Sequence, residues 1–452
     1  MSTYNQAIAP YRYNPYSNDV SELDPFKPEE FDQIIDTNAI NSHLYMLAST
    51  GYGKTEFIKL LFMRLASKAD SSIVVMDPNG DLAMQCAKMM NDKKDIIYID
   101  PTLDKGRTPA INPFRMKKRD ETTIAIVAQE LVDAFESIVG HAFSPNMEVL
   151  LTPLIYTLLR KGDSGIDELV RFLDDDNNDD LIELARQSPI KAHRDFMQNQ
   201  FSKGKFTTTK DALSTKLQIL LNNPIFSDFI TGDSTFNLEK ALNNKKIIIF
   251  RFPKGKMKKT LEPAAKLIMA LIQGIVFKRS DLPISLRPKT YLICDEYQNF
   301  FSNISDEMLS ESRKNNLTIL GAHQYLSQLD TKSKDGMMSA ANIKVVGKNF
   351  TKDLKAMAEE IEVDVQLLKR LKQGEFYIKV GFSDARKIIT TDKFLNDKFA
   401  ISDELWNQHL KYQKKHYYKK VVGTIKKCQC KDAEADNSSE DTLLPIPNFE
   451  TE

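Results

Sequence analysis

The sequence is poor in cysteine and tryptophan, and neither sign of charge is in excess. Its four cysteines, Cys86, Cys294, Cys428 and Cys430, are too few and too unevenly spaced for a disulfide framework. The close pair Cys428 and Cys430 offers half of a metal site, but no second Cys or His pair in that tail completes it. The cysteine pattern therefore favours a reducing environment.

The charge balance limits how the chain can bind nucleic acid. Sixty-two Lys and Arg residues balance sixty-two Asp and Glu residues. Any binding to nucleic acid must therefore come from local basic patches. With 42% hydrophobic and 27% charged residues the composition is that of a soluble globular protein. A length of 452 residues predicts two or three structural units.

Long hydrophobic runs are also lacking. The opening stretch Met1–Asp24 is polar and rich in tyrosine, unlike a secretory signal. The longest apolar run, Leu267–Phe277, is interrupted by Gln273 and is shorter than the roughly 20 residues of a membrane helix. We therefore expect a cytoplasmic protein without a direct membrane span, and any recruitment to the inner face of a membrane would need a partner.

Two parts of the chain alternate between short apolar runs and amphipathic helices. In the first part, Leu44–Ala48, Ser72–Met76 and Ile96–Ile99 are predicted strands, and Glu56–Lys68 is a predicted helix. Such alternation is typical of a parallel sheet covered on both faces. In the second part the predicted strands are Lys246–Phe252, Tyr291–Cys294, Leu317–Leu320, Ile343–Val346 and Glu375–Val380, with helices at Leu261–Arg279 and Asp306–Lys314.

Between Met116 and Asn243 the apolar residues follow only the helical period. The predicted helices are Thr123–Val139, Met147–Arg160, Gly165–Leu173, Leu181–Arg186 and Lys210–Leu221. We therefore divide the chain into an irregular N-terminal arm (1–30), a β/α core in two parts (31–115 and 244–400), an inserted all-α domain (116–243), and a basic then acidic C-terminal tail (401–452) that we expect to be partly disordered.

The strongest motif is a glycine-rich loop between a buried strand and an amphipathic helix. Its glycines let successive N–H groups point at phosphate oxygens, and the positive end of the following helix adds to that field. Lys54 would reach the β and γ phosphates of ATP, and the Thr55 hydroxyl would bind Mg²⁺. The usual first glycine is Ala48 here, and the alternative is a glycine-rich turn with a surface lysine. The predicted nucleotide contacts are Ser49, Thr50, Gly51, Tyr52, Gly53, Lys54 and Thr55.

An acidic pair follows the predicted strand Tyr291–Cys294 at its carboxyl end, where open α/β sheets place their ligands. Asp295 would hold Mg²⁺ through water, and Glu296 would orient or deprotonate the attacking water. Such a pair is common after strands, so the interpretation depends on the phosphate loop.

A third strand has a polar tip and is preceded by a basic segment. Gln324 would sense the γ phosphate or place the water, with His323 as its rival; the alternative is a capped strand end. Arg313 precedes this strand. It is either a solvated residue or, in a ring, an arginine finger that reaches the neighbour's nucleotide.

The ordered set of motifs from about His43 to Val380 resembles the FtsK/HerA superfamily of DNA-pumping ATPases, and within it the type IV secretion coupling proteins of bacterial conjugation. The order of these motifs is more specific than any one of them. The motifs are the phosphate loop, Asp77–Leu82, the helical insert, Leu292–Tyr297, Ser312–Lys314, Gly321–Gln324, Ser327–Leu329 and Leu368–Val380.

The resemblance implies an α/β fold: a RecA-like P-loop NTPase core with a mostly parallel sheet, plus the inserted all-α domain. It also implies a homo-hexameric ring with ATP and Mg²⁺ between subunits, Arg313 as the finger in trans and Gln324 as the sensor. Asp77 would lie near the nucleotide, with capping of the turn before Asp81 as the alternative role.

The implied substrate is DNA, single- or double-stranded, which would pass through the pore of the ring. Only inward-facing loops need then be basic. The candidate loops are Lys203–Lys205 with Lys210, and Lys254–Lys259, each of which could instead be a solvated loop.

The expected function is therefore an ATP-driven DNA translocase of the conjugative coupling-protein type, which moves DNA or a protein–DNA complex and has a membrane-anchored or relaxase-type protein partner. The sequence departs from these families in two ways. Coupling proteins usually carry amino-terminal membrane helices, and HerA-type repair motors carry a small barrel before the ATPase core. We expect neither feature in this sequence. The alternatives are a genome-packaging, repair or defence DNA motor, and an ATPase adaptor for protein secretion that contacts no DNA.

Overall fold

One large sheet organises the molecule. The computed structural model describes residues 20–23, 31, 35, 42–116, 120–139, 143–300, 309, 311–329, 331–391 and 399–421. Its strands are β1 (Val20–Leu23), β2 (His43–Leu47), β3 (Ser72–Asp77), β4 (Ile96–Ile99), β5 (Arg107–Thr108), β6 (Ile247–Arg251), β7 (Thr290–Cys294), β8 (Leu317–His323), β9 (Ala341–Val346), β10 (Glu375–Val380), β11 (Arg386–Thr390) and β12 (Lys419–Lys420).

Within the described residues, the sheet has ten strands in the order β1-β11-β10-β9-β2-β8-β7-β3-β6-β4. All neighbours run parallel except β10, which is antiparallel to both β9 and β11. Strand β8 lies between β2 and β7, so the carboxyl ends of these three strands meet at one edge. The predicted α/β fold, a RecA-like P-loop core with a mostly parallel sheet, is therefore confirmed.

Helices cover both faces of the sheet. They are α1 (Lys54–Lys68), α2 (Asp81–Lys88), α3 (Glu121–Val139), α4 (Pro145–Lys161), α5 (Ile166–Phe172), α6 (Asp179–Arg186), α7 (Lys191–Asn199), α8 (Thr207–Leu221), α9 (Pro224–Ile230), α10 (Leu238–Asn243), α11 (Lys254–Met257), α12 (Leu261–Phe277), α13 (Thr331–Ala340), α14 (Thr351–Ile361), α15 (Val365–Lys369) and α16 (Asp403–Tyr417). Alternate strand residues point to opposite faces. In β2, for example, Tyr45 packs in one core and Met46 in the other.

Between β5 and β6 the regular elements are helical, from α3 to α10. The apolar residues of these helices belong to the same core as one face of the sheet and as α12. The helical region is thus packed on the sheet through one continuous apolar cluster. Of the described residues, the segment Lys254–Asp281 alone is long and apolar enough to cross a membrane, and 72% of its apolar window is buried inside the fold. The buried core helix of a globular protein has the same character.

Two terminal predictions need correction. The predicted irregular arm contains the strand β1, which pairs parallel with β11 at the edge of the sheet. The predicted tail begins with the helix α16, which packs Trp406 against Tyr98 of β4 with ring centroids 5.4 Å apart. Both elements depend on tertiary contacts that local sequence patterns do not reveal. The predicted acidic tail, Cys428 and Cys430 lie outside the described residues.

Candidate nucleotide site

The glycine-rich loop joins the carboxyl end of β2 to the first turn of α1. Gly51 and Gly53 have φ of 80° and 96°, a backbone conformation that favours glycine. A Cβ on Gly53 would lie 3.1 Å from the Cα of Gly374, and the Gly374 N–H donates to the carbonyl of Tyr52 at 3.1 Å. The loop is therefore pressed against the turn before β10, and Thr50 and Gly51 remain exposed.

Lys54 lies between the two predicted acidic residues. Its Nζ is 2.7 Å from Asp295 Oδ1 and 2.8 Å from Glu296 Oε1. All three side chains are less than a tenth exposed. The predicted residues from the ends of β2 and β7 are thus brought together, with one ammonium group facing two carboxylates.

Burial and the Lys54 charge act differently on the two acids. Burial by itself raises both pKa values, but for Glu296 the attraction of Lys54 and its hydrogen bonds lower the pKa overall. For Asp295, burial outweighs Lys54, and the nearby Asp77 and Glu296 charges add to the rise of its pKa. Burial alone would lower the pKa of Lys54, yet the two carboxylates raise it. Glu296 therefore stays ionised, as a base requires, and Asp295 is the carboxylate that an added cation would stabilise most.

Glu296 is held in a strained conformation. Its φ and ψ of 52° and 53° are left-handed, which costs about 1–3 kcal/mol for a non-glycine residue. Gln298 Nε2 donates to its second carboxylate oxygen at 2.8 Å, and Asn299 Nδ2 to its carbonyl at 2.9 Å. Such strain is typical of functional sites.

Gln324 connects the acid to the loop. Its Nε2 donates to Glu296 Oε1 at 2.5 Å, and its Oε1 accepts from the Thr50 hydroxyl at 2.8 Å. Its rival His323 is fully buried. The hydroxyl of Tyr45 hydrogen-bonds to the His323 ring, and burial followed by the Lys54 charge lowers the pKa of His323 to about 3. Gln324 is therefore the one of the two that faces the site.

Asn349, which sequence reasoning missed, joins two of these segments. Its Oδ1 accepts from the Ser49 hydroxyl at 3.1 Å, and its Nδ2 donates to the Gln324 carbonyl at 2.7 Å. The side chain is largely buried just after β9, the other neighbour of β2. Its only signal in the sequence is its position after a predicted strand.

Asp77 and Arg313 lie outside this cluster. The two carboxylate oxygens of Asp77 accept from the backbone N–H of Asn79 at 2.8 Å and of Ala83 at 2.9 Å. This arrangement favours the capping role over direct nucleotide contact. Arg313 is exposed in a short turn before β8. It therefore lies at the edge of the sheet opposite the loop, about 20 Å away along the strand.

The donor set fits a nucleotide with Mg²⁺. The Thr55 hydroxyl at the start of α1 and the Asp295 carboxylate are hard oxygen donors, which Mg²⁺ prefers. The described residues contain no group of three or more His, Cys, Asp or Glu able to hold a metal. A site with one or two protein oxygens suits Mg²⁺, which keeps several waters and binds phosphates. When bound, Mg²⁺ would neutralise charge on the phosphates.

A phosphate loop on one strand, an acid pair two strands away and a polar tip on the strand between them define a P-loop NTPase. A protein-family model described as "Helicase HerA, central domain" matches residues 26–272, which is more than half of the chain. The chain belongs to this HerA central-domain family.

Solved structures show the same fold. The bacterial conjugative coupling protein TrwBdeltaN70 in an unbound form has a TM-score of 0.57 at 18% identity, covering 78% of this chain and 86% of that chain. TrwB in complex with ADP and Mg²⁺ has the same TM-score and identity, covering 78% and 85%. VirB4 of Thermoanaerobacter pseudethanolicus has a TM-score of 0.54 at 16% identity, covering 78% and 91%. No curated protein matches the sequence significantly.

Proposed function

We propose that this HerA-type NTPase is an ATP-driven DNA translocase of the conjugative coupling-protein type, working as a homo-hexamer. The observation that carries the proposal is the cluster of Lys54, Asp295, Glu296 and Gln324. The likeness in fold to TrwB supports the coupling type. Genome packaging and repair or defence use the same class of motor and remain alternatives within it.

Each residue of the cluster has a role in this proposal. Lys54 would leave the two acids to bind the β and γ phosphates of ATP, and Thr55 and, through water, Asp295 would hold Mg²⁺. Glu296, freed from Lys54, accepts the proton of the attacking water or orients it. Gln324, already hydrogen-bonded to Glu296 and Thr50, responds to whether a phosphate occupies the loop. The proposed setting is cytoplasmic, with a membrane-anchored or relaxase-type partner.

The test is ATP hydrolysis by the purified chain with and without DNA. We expect DNA to stimulate hydrolysis, and Glu296→Gln to abolish it while ATP binding is retained, because the amide keeps its size but accepts no proton. Hydrolysis that ignores DNA entirely would refute the translocase function. Neutral net charge favours the protein-secretion adaptor as the second candidate. Strong, salt-dependent DNA binding in a filter assay would contradict that candidate.

A further inference from the structure

A cluster of lysines follows β6 at the same edge of the sheet as the phosphate loop. The segment Lys254–Lys259, here named the lysine loop, comprises the short helix α11 and the turn after it. The four side chains Lys254, Lys256, Lys258 and Lys259 are all exposed. Because β6 runs parallel to β3, its carboxyl end points to the nucleotide edge.

No counter-charge for the lysine loop is found among the described residues. Throughout the part of the chain that the structure describes, none of its four ammonium groups has an ion-pair or hydrogen-bond partner. Lys210, a candidate at sequence level, is the opposite case. Its side chain is buried, and its Nζ lies 2.5 Å from Asp175 Oδ1 and 3.7 Å from the ring centroid of Phe201. Lys210 is therefore a structural residue, whereas the lysine loop is free to bind an anion.

The backbone of the lysine loop is held in an unfavourable conformation. Lys258 has φ 50° and ψ −121°, a region that side chains other than glycine rarely adopt. The residues that fix this turn, Met257 and Thr260, are buried, and the Thr260 hydroxyl donates to the Met257 carbonyl at 2.8 Å. Strain of this kind persists where the surrounding structure imposes it and is concentrated at functional sites.

Backbone hydrogen bonds connect the lysine loop to the acid pair. The Lys254 N–H donates to the Pro78 carbonyl at 2.9 Å, and Phe252 N–H to the Asp77 carbonyl at 3.2 Å. On the other side of β3, the Asp295 N–H donates to the Met76 carbonyl at 3.2 Å. One strand thus separates the lysine loop from the strand that carries Asp295 and Glu296.

We propose that the lysine loop binds the phosphate backbone of the nucleic acid and transmits its presence to the acid pair through β3. The inference rests on the proposed function, because it names where the DNA substrate is held. Four closely spaced lysines with no partner in the described part of the chain are a point-charge surface that suits phosphates irrespective of base sequence. In a chain of zero net charge, such a local patch is required for nucleic-acid binding.

The test compares two full-length variants that lose the same charge. One changes Lys254, Lys256, Lys258 and Lys259 to Gln. The control changes four exposed lysines elsewhere, Lys94, Lys240, Lys352 and Lys355, to Gln. Binding of a mixed-sequence oligonucleotide, single-stranded and duplex in separate arms, is measured by fluorescence anisotropy over a salt series, together with ATP hydrolysis and thermal unfolding.

We expect the lysine-loop variant to bind DNA about ten-fold more weakly at about 0.1 M salt, and the control to bind like the wild type. Each lost phosphate contact should reduce the slope of log affinity against log salt by about 0.9 for duplex and about 0.7 for single strands. DNA-independent hydrolysis and the unfolding temperature should be unchanged, while stimulation by DNA is reduced. Four Lys→Arg substitutions should preserve binding.

DNA binding by the lysine loop and the motor function of the protein can be refuted separately. If the wild type binds DNA and the lysine-loop variant binds equally well, the inference is overturned but the motor function stands. An equal loss in the control also overturns it, because the effect would then be general charge. A wild type that binds no DNA overturns both. This is also the result expected if the lysine loop binds only acidic peptides.

Discussion

Lys54 has a structural role in the free protein as well as a predicted role with nucleotide. It is the cation between two buried carboxylates. Removing one partner of a buried ion pair typically costs about 3–5 kcal/mol, because the remaining charge is left uncompensated. A substitution that prevents nucleotide binding should therefore also destabilise the fold.

We predict that Lys54→Ala lowers the free energy of unfolding by about 3 kcal/mol at pH 7, measured by urea denaturation. In the wild type the lowered pKa of Glu296 contributes stability above its unfolded value of about 4.3, which is lost as the pH falls through the folded pKa. The raised pKa of Lys54 contributes stability below about 10.4, which is lost as the pH rises.

The loss of unfolding free energy in the Lys54→Ala variant should therefore be largest at neutral pH. It should be smaller near pH 5, where the carboxylates that have lost Lys54 take up protons. Lys352→Ala, an exposed lysine on α14, is the matched control and should be neutral. A Lys54→Ala variant as stable as the wild type at pH 7 would show that the ion pairs contribute nothing to the fold.

Asn349 should act as a positioning residue. Asn349→Ala removes its hydrogen bonds to Ser49 and to the Gln324 carbonyl, each worth about 1 kcal/mol. We predict a roughly ten-fold lower kcat for ATP hydrolysis, since Gln324 loses its backbone anchor. Ser49→Ala, which removes one of these bonds, should have a smaller effect. Equal activity of Asn349→Ala and the wild type in steady-state assays would exclude this role.

At the residue scale, the sequence predicts those site residues that belong to a short local motif. The loop glycines, Lys54 and the acid pair belong to short segments with a strand before them, and the structure brings them together. Asn349 could not be found in this way, because its role depends on β9 lying next to β2. Asp77 lies at the end of β3, but the hydrogen bonds that its carboxylate accepts from backbone N–H groups are not apparent in the sequence.

Among the elements, α16 has a role that the sequence does not reveal, because it covers an edge of the sheet. Strand β4 is the edge of the sheet, and exposed edges invite pairing with other chains. Gln413 of α16 covers this edge: its Oε1 accepts from the Tyr98 N–H, and its Nε2 donates to the carbonyls of Lys93 and Ile96. The basic and aromatic composition of this segment is typical of a solvated tail, and its contacts to β4 are all long-range.

We predict that Gln413→Ala destabilises the protein by about 2–3 kcal/mol, because three hydrogen bonds are lost and buried backbone groups of β4 are left unpaired. It should also increase aggregation, which light scattering would report. Gln408→Ala, on the exposed side of the same helix, is the control. If both variants unfold at the same urea concentration as the wild type, α16 does not protect the edge.

For the whole molecule, we propose that a second copy of the chain supplies Arg313 to the candidate site. Arg313 lies at the opposite edge of the sheet from the phosphate loop, so it cannot serve the site of its own chain. Beside it, Ile284 and Leu286 are 73% and 67% exposed, and Arg287 ties their loop to the Lys314 carbonyl at 2.5 Å. Exposed apolar side chains next to an exposed arginine are typical of an interface. We infer that this edge meets the phosphate-loop edge of a second copy.

A subunit-mixing experiment tests this arrangement. Lys54→Ala subunits have a defective phosphate loop and an intact Arg313, whereas Arg313→Ala subunits have the reverse. Each variant alone should hydrolyse ATP poorly, since an arginine finger supplied in trans is worth about 10³–10⁵ in kcat. In mixed rings an intact phosphate loop meets an intact neighbouring Arg313, so hydrolysis should recover. Mixing Arg313→Ala subunits with the Lys54→Ala/Arg313→Ala double variant, which leaves intact phosphate loops but no Arg313, should give no recovery. Arg313→Ala subunits with wild-type activity by themselves would contradict the finger, because the arginine would then be a solvated surface residue.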